Sequence, residues 1–199
     1  QRVLGLYPLT RLAFAAGIRQ WEADARAAFA RATDDDSVPL RRYRPPAAPH
    51  PDAAAIAGLL ARARSPELAM PEPDDATRAQ LVAAFAPVIE VAQRDEADRI
   101  GTMVWSDVGP PQVDVSRPAV YARIARTRAG GESLLQVVYT AWFPRRPGSG
   151  ALDLLAGHLD GIVWRVTLGS DGRPLLYDSM HPCGCYHMFF PTQIGRAHV

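Results

Sequence analysis

The chain of 199 residues contains no lysine and no asparagine, only two cysteines, and no meaningful excess of charge of either sign. Lys and Asn need A-rich codons, and Ala, Arg, Gly and Pro abound in their place. That is the footprint of GC-rich coding and points to a bacterial source. Alanine richness therefore counts for little as a helix signal unless periodicity supports it. Arg stands wherever another genome would use Lys. The 22 basic residues meet 21 acidic ones, so no global basic field exists to hold nucleic acid or an anionic lipid surface. No run of eighteen apolar residues occurs, so no segment is expected to span a bilayer. The two cysteines, Cys183 and Cys185, are one residue apart, which excludes the disulfide framework of small secreted domains and leaves the redox compartment open. No glycine fingerprint for a nucleotide cofactor is present and no internal repeat recurs at a fixed period.

What is there has the balance of one globular domain with a helical annex: 48% hydrophobic and 22% charged, which excludes disorder. Ala crowds the first hundred residues. Afterwards Trp, Tyr, Val and Thr take over in strand-like runs, and the composition divides the chain into a helical part over 1–105 and a β part over 106–192. Residues 193–199 match the translation of a common short-read sequencing adapter. They are read as an artefact, with native sequence ending near Thr192 and, since Gln1 opens the chain, truncated at the front as well. Residues 194–199 are then expected to make no packed contact.

Phe14, Ile18, Trp21, Ala25 and Phe29 recur at helical spacing after a capping Thr10 and predict an amphipathic helix. Residues 34–51, with Asp34 to Asp36, Arg41, Arg42, Arg44 and five prolines, suit a linker or an extended wrap, with the arginines solvated. Two further helices are predicted from Asp52 to about Arg64 and from Asp75 to Phe85, followed by a short strand at 88–91. Asp95, Glu96, Asp98 and Arg99 make a charged turn without the Gly of a calcium loop. Two hairpins follow: 120–128 with 134–143 around Gly130-Gly131, and 162–168 with 174–180 around Gly169 to Gly172. The arm 134–143 is apolar on both alternating sets and reads as a central strand. In 162–168, Trp164 and Val166 are expected to face the core, with Arg165 and Thr167 on the opposite, more polar face. The fold class is α+β, with N-terminal helices packed on a mainly antiparallel sheet formed by the C-terminal part.

Chemistry concentrates in His181-Pro182-Cys183-Gly184-Cys185-Tyr186-His187. Imidazole and thiolate together suit Zn, Cu or Fe. On a straight strand, rising about 3.3 Å per residue, the outer histidines would stand too far apart to share an ion. A metal therefore requires the chain to bend at Pro182 to Gly184. The leading reading is transition-metal binding, Zn or Cu, by His181, Cys183, Cys185 and His187, with His158 or Asp178 as further ligands. The competing reading is a Cys-dependent hydrolase or transferase. Its nucleophile would be Cys183 or Cys185, its base His181, His187 or His158, and its orienting carboxylate Asp160 or Asp178. A helix N-terminus after the cysteine is missing from that reading. A Cys183–Cys185 disulfide would close a strained eleven-membered ring and be redox-active. The third reading is a structural or interaction module whose Cys/His row is simply packed. Asp160-Gly161, near Asp153 and His158, reads as a turn.

Overall fold

The computed structural model describes residues 15, 17–27, 37–105, 107–148 and 156–193. The chain divides into two compact units, Gln1–Pro39 and Leu40–Val199. In the first unit, residues 17–27 form helix α1, where Gln20 donates a hydrogen bond of 3.0 Å to Asp24 one turn on. Ile18 and Trp21 lie on its exposed surface. Phe14 and Phe29, the ends of the predicted stripe, and the capping Thr10 lie outside the described residues, as do 194–199.

The second unit is α+β, with its two helices packed on an antiparallel sheet. Helix α2 (Ala53–Arg62) begins where the Asp52 side chain accepts the Ala55 N–H at 2.8 Å, and α3 (Asp75–Ala84) begins where Asp74 accepts that of Thr77, also at 2.8 Å. Each aspartate satisfies an amide that the first turn leaves without a partner. Pro87 keeps α3 short. Short antiparallel pairs flank the helices: β1 (Leu40–Tyr43) with β2 (Ile89–Ala92), and β3 (Thr102–Val104) with β4 (Gln112–Asp114). Between β2 and β3 a 3₁₀ turn at Glu96–Asp98 is closed by a capping box from Asp95 and Asp98, which accounts for the charged turn read there.

The main sheet has five strands in sequential order: β5 (Val120–Ala129), β6 (Glu132–Arg146), β7 (Gly157–Leu168), β8 (Pro174–Met180) and β9 (Met188–Pro191). Every neighbour is antiparallel, so four hairpin connections build the whole sheet. Leu135, Val137 and Tyr139 of β6 and Val166 and Leu168 of β7 meet Ile56, Leu59 and Leu60 of α2 and Leu81 of α3 in one core. Each fully buried aliphatic side chain there contributes about 1.5 to 3 kcal/mol. From Leu134 through Tyr139 every residue of β6 is buried, so this strand is covered on both faces as its sequence predicts.

In β7, Val166 is fully buried, and Trp164 is half-buried, stacking on Tyr177 at 5.6 Å between ring centres. Arg165 and Thr167 occupy the opposite face, yet Thr167 is buried there, accepting a 2.9 Å hydrogen bond from Gln136. That face is enclosed, and it mixes the polar Gln136 and Thr167 with the buried Leu134 and Val138. Asp160-Gly161 belongs to the long start of β7, with Gly161 paired to Trp142, whereas the dipeptide reads as a turn in sequence. Arg41 and Arg42 fall in β1, where Arg42 pairs with Glu90, so the run is an extended wrap held to β2.

The β7–β8 turn locks the sheet to α2. Gly172 has φ +79, and a β-carbon there would lie 2.2 Å from the Ala53 carbonyl oxygen and 2.5 Å from the Ala57 nitrogen. Gly130, in the β5–β6 turn, has φ +57 with nothing within 4 Å of such a carbon. Gly130→Ala should thus cost only the left-handed backbone penalty, about 1 kcal/mol. Gly172→Ala adds a collision with helix backbone and should cost about 3 kcal/mol. Urea midpoints measure the difference, and equal shifts for the two variants would show that the turn does not abut the helix.

Candidate functional site

Strand β8 ends at Met180 and β9 starts at Met188, so the whole His/Cys segment is the hairpin loop between them. It is bent. The Gly184 N–H donates to the His181 carbonyl at 2.8 Å and the His181 N–H donates to the Cys185 carbonyl at 2.9 Å, closing a tight turn over Pro182 and Cys183. Gly184 supplies the positive φ of +87 that continues the bend, and Tyr186 follows at φ +56, unusual for a residue with a side chain. The Tyr186 ring is held under the Arg146 guanidinium, 5.4 Å from the ring centre. Pro182 settles on Gly161, where a β-carbon would stand 2.8 Å from its Cγ. The glycine read as a turn residue is therefore the surface on which the loop rests.

His181 joins two elements. Its Nδ1 lies 2.8 Å from the Cys183 Sγ and accepts the Cys183 N–H at 3.1 Å, while its Nε2 lies 3.1 Å from Asp160 Oδ1. An Nδ1 that accepts from a backbone amide carries no proton, so the neutral ring holds its proton on Nε2 and gives it to Asp160. The single lone pair of Nδ1 faces both that amide and the thiol, and it takes the thiol proton by giving up the amide. Cys183, His181 and Asp160 are thus linked in series, sulfur to Nδ1 and Nε2 to carboxylate. Asp160 is itself steadied by the Gly161 N–H at 2.7 Å.

Cys185 is the second sulfur. Hydrogen bonds to the Cys183 sulfur from the Cys185 side chain and backbone, and after them its contact with the His181 ring, bring the Cys183 thiol down to about 7. Cys185 is pushed up in turn, because its proton is engaged with Cys183 and its ionisation would place a second negative charge beside the first. Both cysteines are free thiols and exposed.

His187 turns elsewhere. Its Nε2 lies 2.9 Å from Asp178 Oδ1 and 3.2 Å from the Arg165 guanidinium, and Arg165 Nε donates to the same oxygen at 2.8 Å. Asp178 is 1% exposed, and its Oδ2 is buried with no hydrogen-bond partner. The segment is thus divided: His181, Cys183 and Cys185 come together, and His187 is drawn to a buried carboxylate. Among the described residues no group of three or more His, Cys, Asp or Glu side chains is spaced to hold a metal ion. His158 bonds the Pro111 carbonyl, and Asp153 lies outside the described residues.

Arg165 is the site residue the sequence reading passed over as a member of a polar face. Its signal was register: counting back from the β7–β8 turn pairs Arg165 with Asp178 across the strands.

Removing one member of a buried ion pair leaves the other charged and unsolvated. Arg165→Met should therefore destabilise the fold by about 3 kcal/mol, and adding Asp178→Leu should recover most of that loss because the pair then leaves together. Thermal and urea unfolding give both values. An Arg165→Met protein that melts with the wild type would show that the carboxylate does not need its cation.

Comparison with family models, curated proteins and solved structures finds no match to this chain, so the chemistry of the site rests on its own atoms.

Proposed function

We propose that the β8–β9 loop is a thiol–disulfide exchange site, with Cys183 as attacking sulfur, Cys185 as resolving sulfur, His181 as proton acceptor and Asp160 as the carboxylate that orients it. The observation that carries this reading is the 2.8 Å approach of His181 Nδ1 to Cys183 Sγ on an exposed turn that also presents Cys185. A hydrolase needs prearranged donors for an oxyanion, and the amides of Gly184, His181 and Cys183 are already spent on the His181 carbonyl, the Cys185 carbonyl and the His181 ring. A second thiol beside the first is what exchange chemistry requires.

The steps balance as follows. Cys183 passes its proton to His181 and attacks one sulfur of a substrate disulfide. The substrate S–S bond breaks, a mixed disulfide forms on Cys183, and the departing thiolate takes the proton from His181. Cys185 then attacks Cys183 Sγ and expels the second substrate thiolate, which takes up the proton that Cys185 releases. Two electrons have passed from the dithiol to the substrate, and a Cys183–Cys185 disulfide remains. Closing that eleven-membered ring across one residue is strained, so the oxidised form is a good oxidant and the cycle also runs in reverse. An attacking thiol titrating near 7 combines a large thiolate fraction with retained nucleophilicity.

Binding of Zn or Cu(I) by His181, Cys183 and Cys185 is the second reading; it rests on the donor types gathered in one loop and requires the loop to close further, since no three such groups among the described residues are spaced to hold an ion. It requires His187 to leave Asp178 if all four residues are to serve.

Alkylation of Cys183 by iodoacetamide should rise with pH through a midpoint of about 7, since the thiolate is the reactive form and dominates above it. His181→Gln should move that midpoint upward and slow the reaction at neutral pH roughly tenfold, towards an ordinary thiol. Cys185→Ser should trap a mixed disulfide with oxidised glutathione at Cys183, and Cys183→Ser should trap none at Cys185. A Cys183 midpoint at the ordinary thiol value, together with no mixed disulfide, would overturn the exchange reading. Stoichiometric Zn or Cu(I) in protein purified without chelator, lost in the double serine variant, would install the metal reading instead.

A further inference from the structure

A recess of about 660 Å³ lies away from the cysteine loop, walled by α3, the start of β5, β6 and the chain that leaves β1. Its walls are cut back. Six of its lining residues are alanines, among them Ala79, Ala83 and Ala122, and its floor is Ile100 and Tyr139, both buried. The recess opens to solvent, with Ala79 and Ala122 exposed and Ala83 part-buried, and larger side chains at the alanine positions would narrow it. A volume of this size with an apolar lining is what small-molecule sites show.

The polar groups at the recess are nearly all donors, and most are already engaged. Tyr139 donates to the Val82 carbonyl at 2.6 Å, and Arg42 is bound to Glu90. Tyr43 accepts the Ile100 N–H at 3.1 Å and keeps its own hydroxyl proton to give. Arg44 has no ion pair or hydrogen bond among the described residues, and no acidic side chain lines the recess. One unmatched cation and one free hydroxyl donor stand at an otherwise apolar cavity.

From this complementarity we infer that the recess binds a small amphipathic acid, whose hydrocarbon body lies against the alanine wall and whose carboxylate pairs with Arg44 and accepts the Tyr43 hydroxyl proton. Arg presents parallel N–H donors that match a carboxylate, and the pair gains strength beside a low-dielectric wall. Removal of the alkyl chain from water supplies the remainder of the affinity.

Isothermal titration of the full chain with octanoate, which stays monomeric at millimolar concentration, tests the inference. Octanoate should bind with one-to-one stoichiometry, and octyltrimethylammonium should bind at least tenfold more weakly. Arg44→Gln, an exposed substitution that leaves the fold intact, should weaken octanoate about tenfold, and Arg44→Glu should reverse the preference between the two amphiphiles. Ala83→Leu and, separately, Ala122→Leu should abolish binding by filling the cavity. If octanoate fails to bind, if the cationic amphiphile binds equally well, or if Arg44→Gln binds as the wild type does, the inference is wrong. Sedimentation with phosphatidylglycerol vesicles in the absence of octanoate binding would overturn it in favour of a lipid surface.

Discussion

A carboxylate buried to 1% exposure inside a sheet fixes the alignment of everything around it. Asp178 has its partners there because Arg165 stands directly across on β7 and His187 arrives from the loop. A slip of one residue in the β7–β8 pairing would turn Asp178 to the helix-covered face, among Tyr177, Trp164 and Val166, with no cation in reach. The cost of such a slip is the cost of an unpaired charge in an apolar core, which far exceeds what any single hydrogen bond of the ladder returns. Register is thereby set by one ion pair more firmly than by the turn. With β8 fixed, the loop must start at His181, and His181 must fall beside Asp160 at the far end of β7.

The two histidines of the loop consequently live under different rules. Each meets one aspartate, but Asp160 is part-exposed at the sheet's end whereas Asp178 is sealed within it. His181 keeps one nitrogen free of the carboxylate and turns it to Cys183. His187 is committed to a buried pair that the fold depends on. An ion claiming all four side chains would have to dismantle that pair, while a proton acceptor needs only what His181 already offers. The proposed exchange at Cys183 leaves the Asp178 pair of the sheet in place.

Much of the architecture was legible because local signals agreed. Gly130-Gly131 and Gly169 to Gly172 mark the two long hairpins, Asp52 and Asp74 cap the helices where apolar periodicity begins, and the unbroken apolar run of β6 announces a doubly covered strand. The strand β2 was legible as the short strand at 88–91, but β1, β3 and β4 gave less away, since strands of three or four residues carry little alternation, and Leu40 finds its partner Ala92 beyond two intervening helices by no local rule. At the site, the bend at Pro182 to Gly184 and the grouping of two sulfurs with an imidazole could be read from composition. The separation of His187 could not. It is decided by Arg165 and Asp178, whose importance appears only once strand register brings them face to face. Asp160 was visible as a candidate, but the sequence made it a turn residue because Asp-Gly usually is one, and here β6 extends far enough to pair with it.

Backbone strain gathers around the same loop. Among the described residues three that are not glycine have positive φ: Ala69, Leu159 and Tyr186. Leu159 precedes Asp160, and Tyr186 lies between Cys185 and His187. Each costs about 1 to 2 kcal/mol relative to a relaxed strand or turn, so neither conformation persists by local preference. Leu159 is held because β7 pairs with β6 on both sides of it, and Tyr186 because its ring is fixed against Arg146. Each strained residue changes the direction of the chain immediately beside a site residue. Leu159 re-aims the strand at the residue before Asp160, and Tyr186 completes the curl that leaves Cys185 next to Cys183. Strain at such positions persists only where the surrounding structure over-determines the backbone. The rigid five-stranded sheet is what allows it, because a loop closed at both ends by paired strands can be kept in a conformation that it would abandon if free.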